Sequence, residues 1–465
     1  MTSDQRAALR PGRWGALLSM LVLGACGAPV SLDTRPASSS STATSTSDAT
    51  DDRTSSGLGS TTSPTSTDLP GVDLPGPGRP GTCPEDCELT LSEAWSWEEG
   101  PDDLDPPPTE RQISATIRAP NDALVVAENH DGVPWLTRIS DAGVVLFSRS
   151  IAELDGCNFG QGCEVTDLSI TESGRLIVVA QSDITPDLSA LHIGQFDLFL
   201  ATFYWTNWFP LAAYVPDQRP RVGSTFVIDS TRNGVLVVES NEFGNPFTTE
   251  ALELFIIEES FGLTRVFIDS QPYGDRAWQP WGAMTDDGGI AVALTDTTGA
   301  RDQGYLVWLD PLDQQPVEVE PLPRPADLVT RGSGYDVLTV GHAAVSQQQV
   351  SVYVSRAQPG LPLDWVHTAA LPSTSASVPA LTIDSAGRAI VATRVTGTEP
   401  EDTAIVLSRL DLSGKPEWTT TFPLATDPSE RPVFVDADST DALMLSTLVQ
   451  GRLHVAKYQQ DCRCE

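Results

Sequence analysis

The stretch GRAIVATRVTGTEPEDTAIVLSRLDLSGKPEW, residues 387–418, decides the fold of this chain. It opens with a glycine turn and an apolar run, passes through a loop into a second apolar run at 405–409, and ends in the turn 411–415 with Trp418 behind it. Short apolar runs bounded by Gly and Asp turns are typical of β-strands. The stretch therefore predicts consecutive antiparallel strands joined by tight turns.

The same order recurs along the chain from about residue 111 to the end. Seven copies of the first turn and run follow one another at intervals of 45 to 60 residues, with turn residues Asp122, Gly174, Gly234, Gly289, Gly334, Gly387 and Asp441. A matching run for a third strand occurs at 135–139, 254–257, 305–309, 352–356, 405–409 and 453–458. A period near fifty residues with four strands per unit is typical of a propeller. We therefore predict an all-β, seven-bladed β-propeller with four-stranded blades.

These units resemble the bacterial β-propeller repeat families with a Gly-Lys/Arg-apolar-Val-Ala … Leu-x-Arg-Leu-Asp-x-x-Gly rhythm, including the delta-sixty type and the quinoprotein-like repeats. Residues 387–418 match best, and Asp411–Trp418 resembles the tryptophan-docking turn of quinoprotein blades. The resemblance covers about 340 residues and implies architecture, not activity. A quinone cofactor needs many docking turns and dedicated ligands, and the sequence has one good turn, so we expect no cofactor.

The N-terminus is typical of an exported lipoprotein. An apolar stretch at 14–22 follows three basic residues, Arg6, Arg10 and Arg13. It is far shorter than the ~20 residues of a membrane-spanning helix. Leu23-Gly24-Ala25-Cys26 then resembles the lipobox of bacterial signal peptides. Residues 1–25 are therefore predicted to be the signal peptide and Cys26 the site of lipidation, the alternative being an ordinary signal peptide with a chance cysteine.

The segment 26–82 is rich in Ser, Thr, Pro and Gly and cannot bury a core, so it is predicted to be a disordered tether. A flexible chain of this length has a mean reach of roughly 40 Å. Gly27 stands where an aspartate would retain a lipoprotein at the inner membrane. We expect a cell-envelope protein held by its lipid, at the outer membrane or the cell surface.

Residues 198–215 are free of charge, which raises a transmembrane alternative. Pro210 and the clustered aromatic residues argue against it, and Trp205-Thr206-Asn207-Trp208 is typical of a hairpin turn. We predict that this run forms the third and fourth strands of the second blade.

Six cysteines remain after Cys26, and an exported protein meets oxidising conditions, so three disulfides are predicted. Cys157 and Cys163 flank a short loop, and the other four lie at the two ends of the domain: Cys83, Cys87, Cys462 and Cys464. A zinc site made by those four is the alternative, but CxxxC with CxC is a loose zinc pattern. No metal site is expected.

The last repeat leaves no room for a fourth strand after 453–458. The segment 89–97 alternates in polarity and carries two tryptophans, as outer strands do. We predict that it closes the ring by pairing with the C-terminal strand, which makes 83–465 one domain and brings the terminal cysteine pairs together.

No pattern specific to a reaction is present. The net charge of -35 repels phosphate backbones, so nucleic-acid binding is not expected. The five histidines are scattered, and the sequence lacks HExxH, GxSxG and GxxxxGK[ST] motifs. Asp436, Asp438 and Asp441 could chelate calcium, but an ordinary acidic turn is the simpler interpretation. No catalytic residue is predicted.

Ligands of propellers usually bind where second and third strands meet and where the chain passes between blades. Here that face is predicted to include the loops 182–196 and 157–163 and the segment 273–281, in which Tyr273, Trp278 and Trp281 could stack on a sugar or a protein. Blade packing is the alternative role of the tryptophans. We expect a monomeric, non-catalytic binding or scaffold protein for an envelope protein or glycan. The alternative is an extracellular polysaccharide-active hydrolase or lyase.

Overall fold

The computed structural model describes residues 87–99, 110–152, 162–170, 174–185, 188–212, 222–223, 235–240, 251–257, 263–268, 278–284, 290–296, 304–309, 316–332, 336–346, 348–373, 375–396, 403–423 and 432–464. The predicted signal peptide, Cys26 and the predicted tether lie outside these residues. Within the described part of the chain, no helix is long and apolar enough to cross a membrane.

The described chain is built from antiparallel sheets formed by consecutive strands. After β1 (Cys87–Glu98), sheet 1 contains β2 (Arg111–Arg118), β3 (Leu124–His130), β4 (Val133–Ile139) and β5 (Val145–Ser150). Sheet 2 contains β6 (Cys163–Ile170), β7 (Leu176–Thr185), β8 (Leu188–Asp197) and β9 (Thr202–Ala212). Sheet 3 contains β10 (Val222–Gly223), β11 (Val235–Ser240), β12 (Ala251–Ile257) and β13 (Leu263–Ile268). Sheet 4 contains β14 (Trp278–Met284), β15 (Ile290–Asp296), β16 (Gly304–Leu309) and β17 (Pro316–Leu322).

The second half of the chain continues in the same way. Sheet 5 contains β18 (Leu328–Arg331), β19 (Val337–Ser346), β20 (Gln349–Ala357) and β21 (Trp365–Pro372). Sheet 6 contains β22 (Ser375–Ala376), β23 (Ala380–Ile383), β24 (Ala389–Thr396), β25 (Ala404–Leu410) and β26 (Pro416–Pro423). Sheet 7 contains β27 (Val433–Ala437), β28 (Leu443–Val449) and β29 (Arg452–Cys464), together with β1. The fold is an all-β propeller with four-stranded antiparallel blades.

Six of the sheets have four strands, and sheet 6 departs from the predicted pattern with five. Its inner edge is divided, because β22 and β23 are separate strands that both pair with β24. Pro379 lies between them, and a proline has no N–H to donate to a strand ladder. Sheet 6 therefore departs from the predicted four strands only through this division of its inner edge.

The core lies between neighbouring sheets. One buried cluster joins sheets 1 and 2 around Leu136 and Phe196, and others join sheets 4 and 5, 5 and 6, and 6 and 7. A further cluster joins sheet 7 to sheet 1, where Leu453 meets Leu124. β14 also contacts β10 and β11, which connects sheet 4 to sheet 3. The second strand β3 is packed on both faces, which explains why it is buried along its whole length.

The first and last strands of the described chain meet in sheet 7. β1 pairs antiparallel with β29, with Leu89 opposite Cys462 and Trp97 opposite Val455. The order of strands is β1-β29-β28-β27, so the N-terminal strand is the outermost strand of the last sheet. This is the pairing that the alternation of residues 89–97 predicts, and it covers the edge that β29 would otherwise expose.

The second sheet corrects two predictions. The uncharged run 198–215 does not hold two strands, because β8 ends at Asp197 and 205–208 lies inside β9. The hairpin turn is at 198–201 instead, and Asp197 Oδ1 accepts the backbone N–H groups of Phe199 and Leu200. An aspartate supplies this turn without Gly or Pro, so the usual turn signal was missing. The predicted loop 182–196 is occupied by paired residues of β7 and β8.

Candidate functional site

The strands give every sheet two different ends. Because the strands alternate in direction, turns between first and second strands and between third and fourth strands share one end, which we call the turn end. Turns between second and third strands lie at the opposite end, together with the connections from one sheet to the next. We call this the crossover end, and it is where the sequence predicts ligand binding.

A buried charged cluster lies at the crossover end where sheet 7 meets sheet 1. Arg111 donates to both carboxylate oxygens of Glu128, with Nε–Oε1 and Nη2–Oε2 distances of 2.7 and 3.0 Å, and its Nη1 bonds Glu99. Burial alone would lower the pKa of Arg111, but the carboxylates of Glu128 and Glu99 have the larger combined effect and raise that pKa. Glu99 directly follows β1 and Arg111 begins β2, so the cluster ties the two ends of the ring together.

His130 extends this cluster. Its ring stacks on Trp135 with centroids 5.0 Å apart, and its Nε2 lies 3.7 Å from Glu128 Oε2. That Nε2 is buried and makes no hydrogen bond to any residue that the structure describes. Sequence reasoning missed the cluster, although an acidic residue at the end of the apolar run Leu124–Ala127 is a signal that a buried charge needs a partner.

Other polar side chains at this end join neighbouring sheets. Asn129 Oδ1 accepts the N–H of Val165 in sheet 2 at 2.8 Å, and Arg394 Nη1 donates to the carbonyl of Leu448 in sheet 7 at 3.2 Å. Within sheet 5, His342 Nδ1 and Asp327 Oδ2 are 2.6 Å apart. These ionisable and amide groups are used to hold the framework together.

The predicted ligand-face residues are distributed differently from the expectation. Trp278 and Trp281 lie in β14, the first strand of sheet 4, not in a loop, and Tyr273 lies outside the described residues. Trp278 is at the crossover end of that strand, while Trp281 is partly buried and packs against the cluster between sheets 4 and 5. Two of the three predicted residues therefore lie on one strand, and their relation to Tyr273 lies outside the described residues.

The cysteines are only partly described. Cys163 is buried at the start of β6 and is disulfide-bonded, and Cys157 lies outside the described residues. Backbone pairing places Cys87 opposite Cys464, and Leu89 opposite Cys462. Cys83 also lies outside the described residues.

The turn end has a repeated geometry. In five turns the N–H of the first residue donates to the carbonyl of the fifth, and the fourth residue has a positive φ: Ala119–Ala123, Ser140–Val144, Asp384–Arg388, Asp411–Lys415 and Asp438–Ala442. The second residue of one turn also bonds the fourth residue of the turn in the next sheet. Ser385 Oγ donates to Asp441 and Ser439 Oγ donates to Asp122, both at 2.8 Å.

Tryptophans from neighbouring sheets dock on two of these turns. Trp95 of β1 packs on Gly143 and donates from Nε1 to Asp141 O at 2.8 Å. Trp365 of sheet 5 packs on Gly414 and donates to the carbonyl of the residue at 412 at 3.0 Å. The turn Asp411–Lys415 therefore receives the tryptophan of the preceding sheet, not its own Trp418.

Trp418 instead packs against sheet 7, and its buried Nε1 has no hydrogen-bond partner among the described residues. The corresponding turn of sheet 7 does not exist, because β29 and β1 are the two ends of the described chain.

The acidic residues considered for calcium are occupied by protein donors. Asp438 Oδ2 is 2.6 Å from Lys457 Nζ, and its Oδ1 accepts the N–H groups of Thr440 and Ala442. Asp441 accepts from Ser385, as above. Burial raises the pKa of Asp436, against the hydrogen bond from Thr116 and the charge of Arg118. In the described ranges no group of three or more His, Cys, Asp or Glu is arranged to hold a metal ion.

No family model matches this sequence, and no curated protein matches it. Among solved structures, the chain is similar to the Cps50 (Swd1) β-propeller domain of Myceliophteria thermophila, with a TM-score of 0.47, 12% identity, and coverage of 79% of this chain and 99% of that one. It is similar to the hydrazine synthase of Kuenenia stuttgartiensis, with a TM-score of 0.47, 11% identity, and coverage of 74% and 94%. It is also similar to the Dos1 propeller, with a TM-score of 0.40, 10% identity, and coverage of 75% and 77%. These likenesses concern the fold alone.

Proposed function

We propose that this protein is a lipid-anchored propeller of the bacterial cell envelope that binds an envelope protein or a glycan at its crossover end, without catalysis. The single observation that carries the proposal is the position at which the chain joins the domain. β29 runs from Arg452, beside the turn at the crossover end, to Cys464, and β1 starts opposite Cys464. The described domain therefore begins at the turn end, and the crossover end lies at the opposite end of the same strands.

The use of charged groups supports binding over catalysis. At the crossover end, Arg111 is bonded on both sides by carboxylates, and His342 is bonded to Asp327. A general acid or base must present its titrating atom to a substrate. These groups are committed to contacts within and between sheets, while apolar Val133 and Val345 are exposed at the same end.

The proposal includes the size of the ring. Sheet 6 is taken as a blade with a divided inner strand, because β23 contacts both β18 of sheet 5 and β27 of sheet 7. Counting it with the six four-stranded sheets, we propose seven blades, closed by β1.

The ligand search uses the full chain as bait against envelope extracts and on a glycan array. Val133→Asp and Val345→Asp place a charge at the crossover end and are expected to reduce capture at least tenfold. Leu146→Asp is the matched control, because Leu146 is an exposed apolar residue of the outer strand β5. Equal loss in all three variants would contradict binding at the crossover end.

Two further measurements address the rest of the proposal. An alkyne fatty acid fed to cells is expected to label the wild-type chain and not Cys26→Ala, and the variant is expected to leave the envelope after a salt wash. Turnover of a polysaccharide or peptide that a single Asp or Glu substitution abolishes would overturn the non-catalytic assignment.

A further inference from the structure

Large apolar side chains are exposed on every described turn between third and fourth strands. In sheet 2 these are Phe199 and Leu200, with 81% and 70% of their surface exposed. The corresponding turns of sheets 1, 5 and 6 carry Val144, Leu361 and Leu412, which are 49–59% exposed. These turns belong to different sheets but share the turn end, so their apolar residues form one set on one face. We call this set the apolar turns.

The turn in sheet 2 is held rigidly in this exposed form. Asp197 bonds the N–H groups of Phe199 and Leu200 and accepts the hydroxyl of Tyr204 at 2.8 Å. Its ionised form is favoured, because the Leu200 N–H and the Tyr204 hydroxyl lower the pKa of Asp197. The two apolar side chains are therefore presented by a fixed backbone at the tip of the hairpin.

Cationic side chains lie directly behind this tip. The guanidinium of Arg138 is 5.4 Å from the ring centroid of Phe199, and that of Arg175 is 4.2 Å from the ring centroid of Tyr204. Arg138 is buried and donates to the carbonyl of Leu198 at 3.0 Å, so it supports the turn from inside the domain. Arg175 is partly exposed and Tyr204 is exposed. Apolar tips backed by arginine and tyrosine suit the boundary between acyl chains and phosphate groups.

The position of this face narrows the choice of partner. The chain joins the domain at the turn end, because β1 starts opposite Cys464 at the end of β29. If Cys26 carries the lipid, the segment that bears it enters the described domain at this end. The apolar turns are exposed at the same end.

We propose that the apolar turns dock the domain on the surface of a phospholipid bilayer, with Phe199 and Leu200 entering the interface and the exposed Tyr204, beside Arg175, at the level of the lipid headgroups. This rests on the proposed function for the direction of the domain, but not for the contact itself. The contact is weak and reversible, and it orients the crossover end away from the membrane. Since the chain has a net charge of -35, zwitterionic lipids are favoured over anionic ones at low ionic strength.

The test uses the predicted mature polypeptide, residues 26–465, with Cys26→Ala so that no lipid anchor contributes. Its partition onto vesicles of phosphatidylethanolamine and phosphatidylcholine is measured by sedimentation. Phe199→Ser with Leu200→Ser is expected to lower the partition coefficient about tenfold or more, because two apolar side chains lose their transfer into the interface. Val345→Ser, which changes an equally apolar residue at the crossover end, is expected to leave it unchanged.

Vesicle binding, thermal unfolding and the oligomeric state of these variants together decide whether the apolar turns dock on a bilayer. Unaltered thermal unfolding of the double variant assigns its loss to the surface. Absent vesicle binding by the parent chain, unchanged binding by the double variant, or equal loss in Val345→Ser would each overturn bilayer docking. A change from dimer to monomer in the double variant would assign the apolar turns to a second copy of the chain instead. Fatty-acid labelling of Cys26 is independent of all these results, so failure of docking and failure of the anchor are distinguishable.

Discussion

Replacing Lys457 with methionine tests how the seam between the last and first sheets is held. The Lys457 ammonium lies between Asp438 of sheet 7, with an Nζ–Oδ2 distance of 2.6 Å, and Asp141 of sheet 1. Only 1% of the Asp438 side chain is exposed, whereas 49% of the Asp141 side chain is. Burial disfavours the ionised form of Asp438, but Lys457 and the hydrogen bonds of its own turn prevail and lower its pKa.

The expected loss in the free energy of unfolding follows from the different burial of the two aspartates. Removing one partner of a buried ion pair costs about 3–5 kcal/mol, because the other charge stays unpaired away from water. Asp438 keeps the N–H groups of its turn, so we expect Lys457→Met to lower the free energy of unfolding by about 3 kcal/mol. Asp141→Asn removes the more exposed partner and is expected to cost less than about 1 kcal/mol.

Urea unfolding followed by tryptophan fluorescence measures both variants across pH. The pKa of Asp438 is lower in the folded state than in the unfolded state. Its contribution to the free energy of unfolding is therefore complete above the unfolded pKa of about 3.9 and is lost as the pH falls through the folded pKa. The pKa of Lys457 is raised, although burial opposes its charge, because Asp141 and Asp438 favour it. Its contribution is complete below the unfolded value of about 10.4 and is lost as pH rises through the folded one.

The gap between wild type and Lys457→Met is therefore widest from about pH 5 to 9 and narrows in acid. Equal small losses in both variants, or a gap that does not narrow as pH falls below about 3.9, would refute the assignment of Lys457 as the cation that pairs Asp438 at the edge of sheet 7.

Three further predictions concern single positions. Burial raises the pKa of Asp436, so the ionised carboxylate costs stability above its folded pKa. Asp436→Asn should raise the free energy of unfolding at pH 7 by about 1 kcal/mol and lose that gain near pH 3; no gain at pH 7 would be the contrary result. Gly414→Ala should lower the free energy of unfolding by at least about 2 kcal/mol, because its φ is +78° and a Cβ would lie 2.5 Å from the docked indole of Trp365. Gly162→Ala is the control, since Gly162 has the same φ but the atom nearest to an added Cβ is 3.7 Å away. This control should lower the free energy of unfolding only by the backbone strain, about 1 kcal/mol. Non-reducing peptide mapping should link Cys87 to Cys464, whose backbones are directly opposed, and finding either one joined to a neighbour in its own terminal segment would contradict that expectation.

The second and third strands could be predicted because packing on both faces makes them near-continuous apolar runs, as in β3 and β24. The first strands could not, because they are short or mixed in character; β10 has two residues and β18 has four. The hairpin after Asp197 was missed because an aspartate side chain supplies the turn that a glycine usually provides. These differences are local, so they altered strand limits and not the all-β propeller fold with four-stranded blades.

The crossover end was harder to predict than the fold. Arg111 and Glu128 are 17 positions apart and Glu99 lies on the far side of the ring seam, so only the closed arrangement brings them together. Trp281 could equally serve packing or binding by sequence, and the structure packs it between sheets. The tryptophan-docking turn could be recognised, but which tryptophan docks there depends on the neighbouring sheet.

Native-state hydrogen exchange of residues 89–97 tests ring closure most directly, because it requires no substitution and reports on the paired amides themselves. Pairing of β1 with β29 predicts that peptides from both strands are protected together and exchange only when the whole domain unfolds. Rapid exchange of 89–97, while peptides from β28 stay protected, would show that the N-terminal segment is not part of the sheet and would contradict closure by the chain ends.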